Sequence, residues 1–373
     1  MNDILNDLYG QESVKEVLSH LINSSKIPHA LLFSGIAGIG KDYFAIKFAQ
    51  ALNIKFSGED NNSEFTRQIL NYSEPYIKYI LPLPRGKNET DTSGPTEKLS
   101  IDEIQSIQEE IKKKSSNPYY KISIPRASNI KISSIRDIKR FLSFDFSDLV
   151  YRIILITDAH LMNEAAQNAL LKSLEEPPTD IIFILTTPYP SLLRETIRSR
   201  CWEINFKPLS NNDVKNILIK YFDIEIHLAG KLSVFAEGSI NNAINLLENN
   251  FEELLEKTIQ ILRYSFGRKY NSALEQFKSY QKESNSDSIK LIISMIIIWL
   301  SDLQKFKYQL SNYYYKDYLE TLEKFNTRFP NLILNNTITK LEQYLNLLSK
   351  NANLNLIVLN IVYELSSLTT PLK

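Results

Sequence analysis

The stretch Gly35-Ile36-Ala37-Gly38-Ile39-Gly40-Lys41-Asp42 places glycines where successive backbone N–H groups can turn inward around phosphate oxygens, followed by a lysine able to reach terminal phosphates. Seven of the eight positions of a phosphate-binding loop are met. The eighth, where a hydroxyl would ligate Mg²⁺, is Asp42. A carboxylate there can bind a metal, but it sets negative charge against the phosphates that the loop must attract. The expectation is a loop kept for its shape, with no required cofactor and with binding of ATP or phosphate weak or absent. The alternative is an ordinary strand-to-helix turn whose glycines fall there by chance.

A second group of residues lies between 151 and 201. Arg152-Ile153-Ile154-Leu155-Ile156-Thr157-Asp158 reads as a buried parallel strand whose acid emerges at its carboxyl edge, where open α/β sheets place their ligands. In a hydrolysing site of this kind the aspartate holds Mg²⁺ and a following glutamate polarises the attacking water. Here Asp158 is followed by Ala159, and Glu164 lies too far along to substitute. His160 reads as a satisfied structural histidine in preference to a base. A helix over Asn163 to Glu176 ends at Pro177-Pro178, a second buried strand runs from Ile181 to Thr187, and a basic helix end follows with Arg194, Arg198 and Arg200. Further on, Glu237-Gly238-Ser239 is followed by Ile240-Asn241-Asn242, where a related ATPase would place an arginine reaching back to the γ-phosphate.

The elements that must position these groups follow from periodicity. Residues 3 to 25 read as a short helix, a turn at Gly10-Gln11 and a longer helix. Ala30 to Ser34 reads as the strand before the loop, and Phe44 to Leu52 as the helix after it. Asn53 to Val150 is less informative. Gly58 to Ser63, Leu81 to Asn88 and Glu89 to Thr96 read as loops, and Ile101 to Lys114 as an amphipathic helix ending in Lys112-Lys113-Lys114. Those lysines form a solvated terminus or a contact for phosphate backbone. Ile124, Ile130 and Ile132 suggest a short strand. A helix from Ser133 carries Arg136, Lys139 and Arg140 on its exposed face, where DNA contact and ordinary solvation are both open. After Pro208 the pattern is helical throughout. Three segments lie at 211–221, 226–235 and 240–248, and longer ones near 251–265, 269–282, 287–310, 315–327 and 331–368. Ile289 to Trp299 is apolar almost all round and should be the buried centre of the last bundle, while Tyr313-Tyr314-Tyr315 serves packing or partner contact.

Across 373 residues, 43 basic and 43 acidic side chains cancel, which argues against a protein that grips nucleic acid by bulk charge. A single cysteine, Cys201, excludes an internal disulfide and any cysteine-cluster zinc site. Met1 to Gln11 has no signal-peptide pattern, and the apolar run at 289–300 is too short to span a bilayer, so a cytoplasmic location and no membrane partner are expected.

Three stretches carry a resemblance: Ile27-Pro28-His29-Ala30-Leu31-Leu32-Phe33, Asn168-Ala169-Leu170-Leu171-Lys172-Ser173-Leu174-Glu175-Glu176-Pro177-Pro178, and Ser199-Arg200-Cys201. Together they resemble the delta-prime subunits of the bacterial DNA polymerase III clamp loader, which are AAA+ proteins. The resemblance implies an α/β plus all-α fold: a RecA-like parallel-sheet domain over 1–207 with a variable insertion at 55–125, a helical lid over 208–250, and a helical collar over 251–373 that assembles the complex. It implies an arginine finger in trans at Arg200, with a helix-terminal salt bridge as the alternative. Gly35, Gly38, Gly40, Lys41, Asp42 and Asp158 become a degenerate nucleotide site with no metal. The partners implied are gamma/tau motor subunits, the delta subunit, the sliding clamp and primer-template DNA. Two other functional readings are a hydrolysing gamma/tau-type motor and a DNA-binding module on a vestigial ATPase fold. Many members carry a cysteine zinc module after the loop helix; residues 53–150 contain no cysteine.

Overall fold

The computed structural model describes residues 3–24, 26–57, 64–90, 92–143, 151–278, 286–311, 313–330, 332–348 and 352–369. The loop read at 58–63 and the end of the helix read at 269–282 lie outside them. Five strands, β1 (Ala30–Ser34), β2 (Ile77–Ile80), β3 (Arg152–Ile156), β4 (Ile181–Thr187) and β5 (Trp202–Asn205), form one parallel sheet in the order β2-β3-β4-β1-β5. Together with the phosphate-loop turn after β1, this is the RecA-like AAA+ architecture. Every residue of β1, β3 and β4 is buried, because helices cover both faces of a parallel sheet; that is why the three strands read as unbroken apolar runs.

The register decides what meets at the carboxyl edge. Ala30 pairs with Phe183 and Ser34 with Thr187, while Ile156 pairs with Leu185. Thr157 therefore comes out of β3 beside Thr186, directly across from the loop that leaves β1. Around the sheet stand α1 (Asp3–Asn6), α2 (Glu12–Ser24), α3 (Lys41–Ser57), α4 (Glu64–Leu70), α5 (Ile101–Ser116), α6 (Ile132–Ser143), α7 (Glu164–Glu175), α8 (Glu195–Arg198) and α9 (Asn211–Phe222). Helix α7 starts where Asn163 Oδ1 accepts the Ala166 N–H at 2.9 Å, and α5 starts at a reciprocal Ser100–Glu103 capping box. Leu170 and Leu174 of α7, Ile135 and Ile138 of α6, and Ile154, Ile156, Phe183 and Leu185 of the sheet pack into one core, each burial contributing about 1.5–3 kcal/mol.

Two elements differ from the sequence reading. The strand expected around Ile124, Ile130 and Ile132 is absent among the described residues: Ile130 makes one isolated bridge to Met162, and Ile132 opens α6. The edge of the sheet is instead β2, whose Lys78 side chain is held by Asp137 and Glu74. The chain also divides into two compact units, Met1–Gly230 with Glu237–Asn241, and Lys231–Ala236 with Asn242–Lys373. The division falls within 208–250: α9 belongs to the first unit, and most of α11 (Ile240–Glu248) to the second, with α10 (Ile226–Phe235) divided between them.

The second unit is helical, with α12 (Phe251–Phe266), α13 (Tyr270–Glu275), α14 (Ser286–Lys307), α15 (Leu319–Arg328), α16 (Asn335–Leu348) and α17 (Leu354–Leu368). The single segment read at 331–368 is two helices, the second capped by Asn353. Ile289, Ile292, Ile293, Ile296, Trp299 and Leu300 are buried, which puts α14 at the centre as its all-round apolar character requires. Asp302, fully buried on the same helix, accepts the Tyr314 and Tyr315 N–H groups at 2.7 and 2.8 Å and pairs with Lys305 at 3.0 Å. Tyr315 is core: its hydroxyl donates to the Met295 carbonyl at 2.8 Å, and its ring meets Phe235 edge-on at 5.0 Å. Leu356, Leu359 and Tyr363 form an exposed stripe on α17. No described helix is long and apolar enough to cross a membrane.

Candidate functional site

The loop after β1 turns as its glycines require. Gly35, Gly38 and Gly40 have φ of 137°, 76° and 86°, values open to glycine and strained for other residues. The loop opens into a cavity of about 420 Å³ lined in part by Gly38, Gly40, Lys41, Asp42, Thr157, Asp158, His160 and Thr186. Gly38, Gly40, Lys41, Asp42 and Asp158 are therefore brought together as expected. Gly35 sits at the base of the loop, with its carbonyl accepting Lys41 Nζ at 2.7 Å. Lys41 also donates to the Ile36 carbonyl at 2.6 Å. Burial pushes the Lys41 ammonium down to about 8, against the attraction of Asp42 and Asp158.

Asp42 is the centre of the arrangement. Its carboxylate accepts the Thr157 hydroxyl at 3.0 Å and the Thr186 hydroxyl at 2.8 Å, and Lys114 Nζ lies 3.7 Å away. The reading that set Asp158 at the metal-holding position is corrected here: Thr157 is the residue of β3's exit that faces residue 42. Asp158 follows one step later in a left-handed turn with φ 49°. A phosphate-loop site normally pairs a hydroxyl on the loop with a carboxylate on the strand. This site has the two exchanged, and they hydrogen-bond each other. Asp158 lines the cavity with its pKa raised, by burial first and then by Asp42, with Lys41, Lys121 and Lys114 opposing.

Lys114 belongs to the run that reads as a solvated terminus or a contact for phosphate backbone. Lys112 and Lys113 are exposed, but Lys114 is 8 % exposed, donates to the Tyr120 carbonyl at 2.9 Å and belongs to the cavity wall. On the far side of the loop, Asn241 closes on Gly38, and the Ile240 N–H donates to the Gly38 carbonyl at 3.0 Å, so the position of the missing arginine does lie at the loop. His160 is a structural group: its Nδ1 lies 3.2 Å from Thr187 Oγ1, its ring meets Tyr189 edge-on at 5.1 Å, and burial lowers its pKa.

The Asp42 carboxylate, which stands where a hydroxyl would ligate Mg²⁺, is engaged by two hydroxyls and faces the Lys114 ammonium at 3.7 Å.

Arg200 does not line the cavity. It follows α8, with one guanidinium nitrogen 2.7 Å from Glu175 and another donating to the Thr196 carbonyl at 2.7 Å, and its side chain is 35 % exposed. Arg194 pairs with Glu164, and Arg198 lies 4.0 Å from Glu203. Arg136, Lys139 and Arg140 are exposed on α6 as expected.

The family described as "DNA polymerase III, delta subunit" matches residues 10–127 and 118–210, and its C-terminal counterpart matches 250–366. The chain belongs to the DNA polymerase III clamp-loader family. Among curated relatives, the tau subunit of Bacillus subtilis (strain 168) is 30% identical over 247 residues, covering 65% of this chain and 37% of that protein. The gamma subunit of Buchnera aphidicola subsp. Schizaphis graminum is 31% identical over 249 residues, covering 65% of this chain and 57% of that one. The chain thus spans between about a third and three-fifths of the length of these relatives. A solved gamma-subunit-related protein from Thermotoga maritima is 16% identical, with coverage of 95% and 99% of the two chains and a TM-score of 0.43. Sequence reasoning missed Thr157, Thr186 and Lys114 at this site. The two threonines had a signal, since each lies at the carboxyl end of a buried strand; Lys114 had none, because it comes back to Asp42 from 72 positions along the chain.

Proposed function

We propose that this chain is a non-hydrolysing, delta-prime-like subunit of the clamp loader. In this reading it supports placement of the sliding clamp on primer-template DNA and lends Arg200 to the ATP site of an adjacent gamma/tau motor subunit, alongside the delta subunit. The observation that carries it is the exchange at the loop: Asp42 in the hydroxyl's place, Thr157 in the carboxylate's, and Lys114 against the same carboxylate. The half-exposed Arg200 at the end of α8 supports the second part, because an arginine that does not line its own cavity can meet a neighbour's phosphates once it leaves Glu175.

A gamma/tau-type motor is the competing reading, favoured by the names of the curated relatives. ATP hydrolysis by the purified full chain, with and without primed DNA, separates the two. The expected result is no turnover above background, and turnover at ordinary motor rates overturns the proposal. Asp42→Thr alone leaves the chain inactive, because Thr157 still stands where a carboxylate must hold the metal.

A further inference from the structure

The insertion after α5 reaches back into the cavity, and its contacts there are built contacts. Asn117 caps α5, its Nδ2 donates to the Tyr221 carbonyl of α9 at 2.8 Å, and its Oδ1 accepts the Tyr119 N–H at 3.0 Å. Tyr120 is folded down on α5, where Glu110 accepts its hydroxyl at 3.0 Å and the Ser123 N–H at 2.8 Å. Pinned at both ends in this way, the turn presents two side chains to the site. Lys114, from the last turn of α5, meets Asp42 at 3.7 Å; burial lowers its pKa, and the charges of Asp42 and Asp158 oppose that. Tyr119, 4 % exposed, packs between Tyr43 and Tyr221 at ring distances of 5.8 and 5.3 Å. Its Cε1 stands 2.8 Å from where a Cβ on Gly40 would be, so the ring lies directly on the glycine that opens α3.

We propose that Lys114 and Tyr119 are resident groups of this phosphate-loop site, with the Lys114 ammonium in the place of the divalent cation and the Tyr119 ring covering the Gly40 face against a nucleoside. The chemistry is that of substitution. A carboxylate at the end of a phosphate loop attracts a cation, and an ammonium carried on the same chain is present at an effective concentration that a free ion does not match. A lysine buried to this degree is tolerated only beside opposite charge, and Asp42 and Asp158 supply it. The insertion therefore has a role within its own domain, and the exchange of hydroxyl and carboxylate becomes intelligible: with the cation supplied internally, the loop no longer needs a metal-binding hydroxyl. This inference rests on reading the cavity as a nucleotide site that has lost its ligand, and does not depend on the donation of Arg200.

The test uses the full chain and two independent readouts. In the first, native protein is labelled briefly with acetic anhydride and the lysines are read by mass spectrometry, with and without Mg²⁺-ATP. Lys114 is expected to react at least about tenfold more slowly than Lys112 and Lys113, at a rate that nucleotide leaves unchanged. Equal reactivity, or acceleration of Lys114 by Mg²⁺-ATP, overturns the proposal. In the second, Mn²⁺ binding is followed by electron paramagnetic resonance. Wild type is expected to leave Mn²⁺ free, and Lys114→Ala to gain a Mn²⁺ site that Lys114→Ala with Asp42→Asn loses. A wild type that binds Mn²⁺ as tightly as Lys114→Ala, or a folded Lys114→Ala that gains no site, overturns it. Should Lys114→Ala not fold, the labelling experiment on wild type decides alone. Hydrolysis by the isolated chain would defeat the functional reading above, whereas exposure of Lys114 in a chain that does not hydrolyse would defeat only this one.

Discussion

Replacing Arg200 by alanine separates a structural role from a role in trans, because the structure bounds the first. Arg200 pairs with Glu175 at 2.7 Å, with the two side chains 35 and 49 % exposed. An ion pair that open to water is worth about 0.2–1 kcal/mol, and in a unit of this size each kcal/mol moves the melting temperature by roughly 2–4 °C. Arg200→Ala should therefore lower the melting temperature of the free chain by no more than about 4 °C. An arginine stabilising charge at a neighbour's γ-phosphate acts on another scale, on the order of 10³- to 10⁵-fold in turnover for GTPases, and less where several sites share the work. In a loader reconstituted with gamma/tau and delta subunits, DNA-stimulated ATPase is expected to fall by at least about tenfold while gel filtration shows intact assembly. The Glu175 pair supplies an opposite control. The arginine must leave Glu175 to reach a neighbour, so Glu175→Gln removes a holding energy of at most about 1 kcal/mol and should raise turnover by no more than about fivefold. Unchanged ATPase in Arg200→Ala refutes the role in trans, and a melting loss well beyond 4 °C refutes the ion-pair accounting.

Three further outcomes follow from particular contacts. Lys41 is pushed from 10.5 down to about 8 by burial, so between those values the unfolded chain holds a proton that the folded chain has released. Its penalty is constant below pH 8 and fades as pH rises through that window. Wild type should thus gain stability relative to Lys41→Met between pH 8 and 10, and parallel denaturation curves would contradict this. Asp302→Ala strands two backbone N–H groups and removes an ion pair with Lys305, and should cost about 3 kcal/mol in urea unfolding; a loss below about 1 kcal/mol would mean that the pocket rehydrates. Changing Leu356, Leu359 and Tyr363 together to serine should leave stability within about 0.5 kcal/mol per site yet abolish co-purification with motor subunits, whereas Ile296→Ala should cost about 2–5 kcal/mol and spare the binding surface; full co-purification of the serine variant would discard α17 as that surface.

The last of these follows from where the apolar surface lies. The run at 289–300 reads from sequence as the buried centre of the last bundle, and α14 is enclosed accordingly, so an assembly surface is sought on exposed residues such as those of α17. The fold was legible wherever pattern and burial coincide. The unbroken runs of β1, β3 and β4 declare a parallel sheet covered on both faces, and proline and glycine mark the ends of the helices between them. Strand β2 was not legible, since it has four residues with the partly exposed Lys78 and Tyr79 in the middle, and its place is fixed by pairing with β3 across more than seventy residues of chain.

The site shows the same limit at the scale of single atoms. Local order alone identifies the loop, the lysine and an aspartate near a strand end, and all of them do line one cavity. Which residue of Thr157-Asp158 faces Asp42 is a question of register, because side chains alternate along a strand and one step reverses the answer. Pairing of Ile156 with Leu185 settles it for Thr157, and with that the departure from an ordinary phosphate-loop site changes character. An absent hydroxyl could be restored by one substitution. An exchanged hydroxyl and carboxylate that bond each other, share Thr186 and answer a buried lysine form a closed set, in which each single reversion leaves another group without its partner. A conventional metal site at this loop would need residues 42, 114 and 157 to change together.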